Sequence, residues 1–310
     1  RAFFESGAFA RVQAAQRVLR EYAFITSIPA EKLSPEAAGA GARVLVQGVA
    51  EFLPISSSGH LAVLQNFLAI GDMENHMLFD VLLHLGTLAA VILAFWKDVR
   101  EVVTEFARML HIRRTPRGMK PNRRERRLIS FLIIATLPLI PAVFLSNVVE
   151  SLYQNTFFIG FAFILTGFLL FAADRMGHGN KDERSSTTAD ALVVGLAQAV
   201  AVVPGLSRSG TTISFGMLRG FERSFAVKFS FLLSIPAVLG ANLVSLIKVF
   251  STGVEWSYVP MYLVGVACAF VSGYFAIYFL RLVVQRGKFG GFCYYCWGAG
   301  LVTLLLSLIS

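Results

Sequence analysis

Residues 51–60 read EFLPISSSGH: Glu51, then Pro54, three consecutive serines (Ser56, Ser57 and Ser58), Gly59 and His60. They follow GARVLVQGVA, residues 41–50, an apolar run of the kind that enters a membrane. A continuous helix cannot accommodate the sequence that comes next. Pro54 lacks a backbone donor and disfavours helix at the residue before it. The stretch therefore predicts a break. A half-helix ends near Pro54, a turn runs through Ser56 to Gly59, and a second half-helix starts near His60.

The composition supports a membrane setting. The 310 residues are 55% hydrophobic and 15% charged, whereas soluble domains carry about a quarter charged residues. The mean hydropathy is +0.65. A formal charge of +9 could suggest nucleic acid. However, the densest group of Lys and Arg, Lys97 to Arg127, lies in one connection between apolar spans, which is a topology signal. Anionic lipid is the expected partner of that charge, and no nucleic acid is expected. Cys293 and Cys296 form a CxxC inside the apolar GFCYYCWGAGLVTLLL with no second ligand pair. Packing, not zinc or redox chemistry, is expected of them.

Six stretches reach the roughly 20 apolar residues needed to span a bilayer: about 79–96, 127–147, 156–173, 227–250, 258–282 and 291–309. Two more, 36–70 and 189–219, are apolar but interrupted midway by Pro, Gly and Ser. Interrupted backbone is tolerated at membrane depth only inside protein or beside a wet cavity. If loop 97–126 is cytoplasmic, alternation puts Arg175, Lys181, Arg184, Arg219, Arg223, Lys228, Arg286 and Lys288 on the same side. The opposite loops, 148–155 and 251–257, hold no Lys or Arg. The positive-inside rule then predicts extracytoplasmic termini. Segment 8–24 spaces Phe9, Val12, Leu19 and Tyr22 as one helical face, with Arg11, Arg17 and Arg20 elsewhere. It reads as an amphipathic interfacial helix within an N-terminal extension, 1–35.

The two interrupted regions resemble each other. Pro54, Ser57 and Phe79 match Pro204, Ser207 and Phe229 at an offset of 150, and Gly48, Ala50 and Glu51 match Gly195, Ala197 and Gln198 at 147. The expected fold is an all-α polytopic membrane protein: six transmembrane helices plus two re-entrant broken-helix hairpins in an inverted-topology repeat. One membrane domain, 36–310, would contain repeat one (about 36–173) and repeat two (about 189–310), with the broken tips meeting near the bilayer midplane.

The tips concentrate the chemistry. Gln47 and Glu51 are four residues apart on one helical face. If 57–60 is helical, Ser57 and His60 share a face. The second tip, PGLSRSGTTIS (204–214), brings Ser207, Arg208, Ser209, Thr211 and Thr212 to the start of another half-helix. Free N–H groups at helix starts bind anions. An arginine at membrane depth costs about 2.5–3.5 kcal/mol on insertion scales, and its forked donors suit phosphate oxygens. A pairing of Arg208 with Glu51 across the repeat axis is the structural alternative. Asp80 heads the first full span, where it lines a cavity mouth or stays solvated. His76, His84, His111 and His178 have no comparable company, and no chemistry is assigned to them.

QGVAEFLPISSSGH together with PGLSRSGTTIS resembles the undecaprenyl-diphosphate phosphatase family of the bacitracin-resistance type. That family carries an (E/Q)xxxE motif followed by PxSSxGH and, later, PGxSRSxxT. The match runs from about residue 36 to 309; Gln47 is allowed by the motif, and the N-terminal extension is not a feature of the family. The resemblance implies hydrolysis of a polyprenyl diphosphate to the monophosphate and inorganic phosphate. That would recycle a lipid carrier for cell-wall synthesis and confer bacitracin resistance, at the outer face of the bacterial cytoplasmic membrane. It also implies a divalent metal, Mg²⁺ or Ca²⁺. Its functional positions fall on Gln47, Glu51, Ser56, Ser57, His60, Ser207, Arg208, Ser209 and Thr212.

Within that frame Glu51 and Gln47 are the expected metal ligands. Ser57, His60, Glu51 and Arg208 are the expected catalytic groups; Gln47, Ser56, Ser207, Ser209 and Thr212 would bind substrate. Ser57 activated by His60 is the preferred nucleophile. Attack by His60 through a phosphohistidine, or by metal-bound water with His60 as acid, stays open. The expected partners are the lipid substrate and membrane lipids, with a homodimer left open. A transporter or flippase of an anionic lipid would use the same inverted repeat. It would need no nucleophile–base pair.

Overall fold

The computed structural model describes residues 35–68, 77–111, 122–252 and 259–309. The expected interfacial helix at 8–24 and His76 lie outside them. Among the described residues the fold is helical, with one isolated bridge between Lys181 and Phe221.

Both interrupted regions fold as helix–turn–helix. α1 (Pro35–Ala50) starts on its proline, as a first-turn proline favours, and α2 (Ser57–Leu68) follows the turn at 51–55. At 1.5 Å per residue they are about 24 and 18 Å long, so neither crosses about 30 Å of hydrocarbon. α3 (Met77–Ala94) is the first full apolar helix. A bend of 92° at Phe95 then turns the chain into α4 (Trp96–Met109). The sequence places a loop here, but α4 is a helix: Val99 and Val102 pack on the core while Arg100, Glu101 and Val103 face outward. Its many charges mask this one-sided pattern.

α5 (Arg123–Thr136) is capped by Asn122 and continues past Pro138 into α6 (Leu139–Val143). The short α7 (Ser146–Tyr153) leads to α8 (Thr156–Met176), capped by Asn155. In the second interrupted region, a Thr187–Asp190 capping box starts α9 (Thr188–Val200). α10 (Arg208–Leu218) comes after the turn at 201–206. α11 (Arg223–Thr252) carries Pro236 internally, α12 (Val259–Gln285) follows, and a 3₁₀ turn at Phe289–Gly291 precedes α13 (Phe292–Ser307). Among the described residues, five helical segments are long and apolar enough to span a membrane, or six if the bent α3–α4 pair is one span.

Close approach sets the packing, as expected where lipid offers helices no hydrophobic gradient. A Cβ on Gly48 of α1 would fall 3.3 Å from the Ala269 Cα of α12, and one on Gly195 of α9 would fall 2.6 Å from the Ala135 Cα of α5. The main core lies between the tips and the full-length helices. Phe231 of α11 holds Phe52 of the first turn, ring centres 5.6 Å apart, and Phe95 at 5.4 Å. The first turn is thereby anchored by an aromatic cluster, which leaves its polar residues free to face the second turn.

Candidate active site

The two turns meet in the interior. A Cβ on Gly59 would come 2.8 Å from the Cα of Gly205, so the backbones cross too closely for any side chain there. Ser209 Oγ of α10 donates to the carbonyl of Leu53, 3.3 Å, tying one tip to the other.

Each tip ends in the same helix start. Ser56 Oγ accepts from Gly59 N at 3.2 Å and lies 3.2 Å from Ser58 Oγ. Ser207 Oγ accepts from Gly210 N at 3.1 Å and lies 3.2 Å from Ser209 Oγ. Serine caps of this kind satisfy donors orphaned at a helix N-terminus. The hydrogen bonds thus equate Ser56 with Ser207 and Gly59 with Gly210, one residue out of the expected register. The second turn, Pro204-Gly205-Leu206, has one residue more than Pro54-Ile55. Ser56 adopts a left-handed φ of 67°, and Gly205 one of 91°. A serine at positive φ is a locally strained conformation that surrounding packing must hold in place.

Glu51 is the hub. Its Oε2 accepts from Ser57 Oγ at 2.8 Å and from Gln47 Nε2 at 3.0 Å. Its Oε1 accepts from Arg208 Nη2 in an ion pair that bridges the two halves. Arg208 belongs to the first turn of α10 and Ser57 to that of α2, so both helix N-termini, the positive ends of their dipoles, lie beside this carboxylate.

Ser57 and His60, expected as nucleophile and base, hydrogen-bond to other groups and not to each other. His60 Nδ1 lies 2.7 Å from the Ser56 carbonyl, and its Nε2 lies 2.8 Å from Tyr295 Oη. Side chains of a helix lean toward its N-terminus. His60 therefore folds back onto the carbonyl four residues earlier, while Ser57 turns toward α1 and Glu51. A carbonyl only accepts, which assigns the proton to Nδ1 and makes Nε2 the acceptor from Tyr295 in the neutral ring. Tyr295 stacks on the imidazole at 5.6 Å and Phe163 meets it edge-on at 4.9 Å.

A cavity of about 230 Å³ opens on this cluster. Glu51, Ser56, Ser57, Ser58, Ser207 and Arg208 line it together with Tyr153, His84 and Gln198; Leu139, Val202, Leu206 and Val238 supply an apolar wall. Gln47 and His60 lie behind this lining, each holding a group of the site. Thr212 is placed elsewhere: its Oγ1 donates to the Arg208 carbonyl at 2.9 Å and lies 2.5 Å from Ser230 Oγ of α11. Ser209 likewise serves the tip-to-tip contact and not the cavity wall. Asp80 pairs with the buried Arg43 at 3.4 Å and does not line the cavity.

His84, Gln198 and Tyr295 stand outside the EFLPISSSGH and PGLSRSGTTIS motifs. His84 stands one turn beyond Asp80 on α3, and its Nδ1 is held by the Asp80 carbonyl at 2.8 Å; that spacing was the available signal. Gln198 matches Glu51 at the sequence offset of 147. Tyr295 carries no local signal, being brought to His60 from 235 residues away.

No group of three or more His, Cys, Asp or Glu side chains that could hold a metal occurs among the described residues. Around Glu51 the oxygen donors are its carboxylate and the Ser57 hydroxyl; Gln47 turns its Nε2 to the carboxylate, and its amide would have to flip to offer oxygen. That donor set fits a hard cation bound through one carboxylate with substrate phosphates and water completing its shell.

The sequence has counterparts among known proteins. Residues 42–302 match the family described as bacitracin resistance protein BacA. A protein of Alkaliphilus metalliredigens named undecaprenyl-diphosphatase is 40% identical over 267 residues, covering 86% of this chain and 96% of that protein. One of the same name from Halothermothrix orenii is 37% identical, with 85% and 95% covered. Another, from Carboxydothermus hydrogenoformans, is 39% identical, with 84% and 94% covered.

Proposed function

The chain belongs to the bacitracin resistance protein BacA family, and on that premise we propose that it hydrolyses undecaprenyl diphosphate in the cavity between the two tips. The products are undecaprenyl monophosphate and inorganic phosphate. The reaction regenerates the lipid carrier of cell-wall synthesis and underlies bacitracin resistance. The observation that carries the site assignment is Glu51 as common acceptor for Ser57 and Arg208, drawn from opposite halves of the chain. A carrier that only bound the lipid would have no use for a hydroxyl aligned on a carboxylate, and the transporter reading is not favoured.

Phosphoryl transfer needs charge neutralised on the transferring group and an in-line nucleophile. Arg208 and the N–H groups at the starts of α2 and α10 supply the first. Ser57 is the nucleophile, and Glu51, in place of His60, is its base. Ser57 Oγ bonds to the terminal phosphorus as its proton passes to Glu51, and the bridging P–O bond breaks to release the lipid monophosphate. The departing monophosphate takes that proton from Glu51. Water then attacks the phosphoserine phosphorus as Glu51 accepts the water's proton. The Ser57 Oγ–P bond breaks, Glu51 returns the proton to Ser57 Oγ, and inorganic phosphate leaves. His60, held by Tyr295 and the Ser56 carbonyl, fixes the strained serine turn from behind. Gln47 orients Glu51. Glu51 and Gln47 would hold Mg²⁺ or Ca²⁺, which when bound supplies further positive charge to the diphosphate. The apolar wall of Leu139, Val202, Leu206 and Val238 suits the first prenyl units.

We read the architecture as an inverted repeat within one membrane domain. The matched caps at Ser56 and Ser207 support it, as do the matched close approaches at Gly48 and Gly195. Ion pairs Lys181–Asp190, Arg223–Asp174 and Lys228–Glu183 cluster the basic connections at one end of the bundle. With that end in the cytoplasm, the site opens to the outer face of the bacterial inner membrane and both termini are extracytoplasmic. Every group invoked comes from one chain, so a homodimer would add none of them.

The test uses detergent-solubilised protein with farnesyl or undecaprenyl diphosphate and Mg²⁺. Phosphate release is expected from wild type and is lost in Ser57→Ala and Arg208→Ala. Acid-stable phosphoenzyme is expected on rapid quench. Unimpaired release by Ser57→Ala, or acid-labile phosphoenzyme, would overturn Ser57 as nucleophile.

A further inference from the structure

Gln198 lies in the last turn of α9 and is 1% exposed. Its Oε1 and Nε2 both lack a hydrogen-bond partner among the described residues, and its side chain lines the cavity. Arg208 Nη1 is also buried and unpartnered, although Nη2 of the same guanidinium binds Glu51. Burying an amide with neither end satisfied is unfavourable, so its retention in a cavity wall indicates a ligand that completes it. The repeat relation sharpens the point, because Gln198 stands where the first half has Glu51. A carboxylate there would repel an anion, whereas an amide donates to one without a charge penalty.

We propose that Gln198 and the free Nη1 of Arg208 form a second phosphoryl subsite, which makes the cavity specific for a diphosphate over a monophosphate. The inference rests on the diphosphate hydrolysis assigned above. Ser57 and Glu51 face one phosphoryl group, and the Gln198 Nε2 amide donates to a non-bridging oxygen of the other. A monophosphate leaves that amide unpaired, and sites built to pair a polar group discriminate strongly against ligands that cannot pair it.

The test compares wild type with Gln198→Met, which keeps the length and removes both polar atoms, and with Gln198→Glu. Binding of non-hydrolysable methylenediphosphonate and of inorganic phosphate, each with Mg²⁺, is measured by calorimetry on the full detergent-solubilised chain. Ligand-free thermal midpoints are recorded alongside. Gln198→Met is expected to keep or raise the midpoint, weaken the diphosphonate at least tenfold and change phosphate affinity less than threefold. Gln198→Glu is expected to weaken the diphosphonate further. A lower ligand-free midpoint for Gln198→Met would reveal a structural partner and overturn the subsite, as would diphosphonate affinity within twofold of wild type. A wild type that binds the diphosphonate but does not hydrolyse farnesyl diphosphate would sink the hydrolase assignment and leave the subsite standing.

Discussion

Replacing Glu51 by glutamine keeps the shape of the hub and removes its charge. Three donors now share two carboxylate oxygens: Ser57 Oγ at 2.8 Å and Gln47 Nε2 at 3.0 Å on Oε2, and Arg208 on Oε1. An amide offers one acceptor oxygen. If that oxygen stays on Arg208, the NH₂ faces Ser57, whose hydroxyl must then accept and has no base. If it stays on Ser57, the NH₂ opposes the guanidinium donor to donor. Loss of a positioned base costs roughly 10²–10⁴-fold. Loss of a hydrogen bond between charged groups adds about 1.5–3 kcal/mol. The two overlap, so kcat/KM for farnesyl diphosphate should fall at least about 10³-fold, or ~4 kcal/mol. Stability should change less. Side-chain exposure of Arg208 is 22%, and cavity water can replace its lost partner; a fall of about 1–3 kcal/mol lies between the exposed and buried limits for ion pairs. Phosphate release and the thermal midpoint of the same preparation are the assays. A folded Glu51→Gln retaining more than a tenth of wild-type kcat/KM would refute Glu51 as the base for Ser57.

Tyr295→Phe removes the hydroxyl on His60 Nε2; at about 1 kcal/mol per hydrogen bond, activity should drop several-fold. The drop should vanish in a His60→Ala background, and a fully additive double mutant would contradict the coupling. Gly195→Ala puts a Cβ 2.6 Å from the Ala135 Cα and should cost about 1–3 kcal/mol in thermal stability. Gly298→Ala on α13, with nothing within 4 Å, should be neutral or stabilising; equal midpoints for the two variants would show the α5–α9 contact to be loose. For Glu183, burial pushes the carboxyl up, but its backbone hydrogen bond, Lys228 and Arg124 outweigh that and hold it below 4.5. A depressed folded-state value stabilises above the unfolded value and is lost as pH falls through the folded one. The wild-type midpoint should thus decline below about pH 4.5, and less steeply in Glu183→Gln; parallel pH profiles would exclude this contribution.

The sequence by itself determined where the chain breaks, which apolar stretches become helices and which polar residues travel to the breaks. These are local matters: Pro54 and Pro204 cannot continue a helix, Ser56 and Ser207 have short hydroxyls that cap the next one, and twenty apolar residues outside water fold as helix. Glu51, Ser57 and Arg208 were legible as a group because they sit beside those breaks. Their pairing was not legible. Spacing along α2 puts Ser57 and His60 within one turn, yet the fold of the first turn presents Glu51 to Ser57 and the packing of α13 presents Tyr295 to His60, from 6 and 235 residues away. Packing of α11, α9 and α3 likewise turns Thr212 toward Ser230 and brings Gln198 and His84 to the cavity wall. α4 is not legible as a helix in the sequence because its charges outnumber the few apolar residues it docks. Backbone breaks follow from single residues, whereas the partner of a buried hydroxyl depends on which helices lie closest. That is set by glycine-mediated packing at Gly48, Gly59 and Gly195, which only the assembled bundle decides.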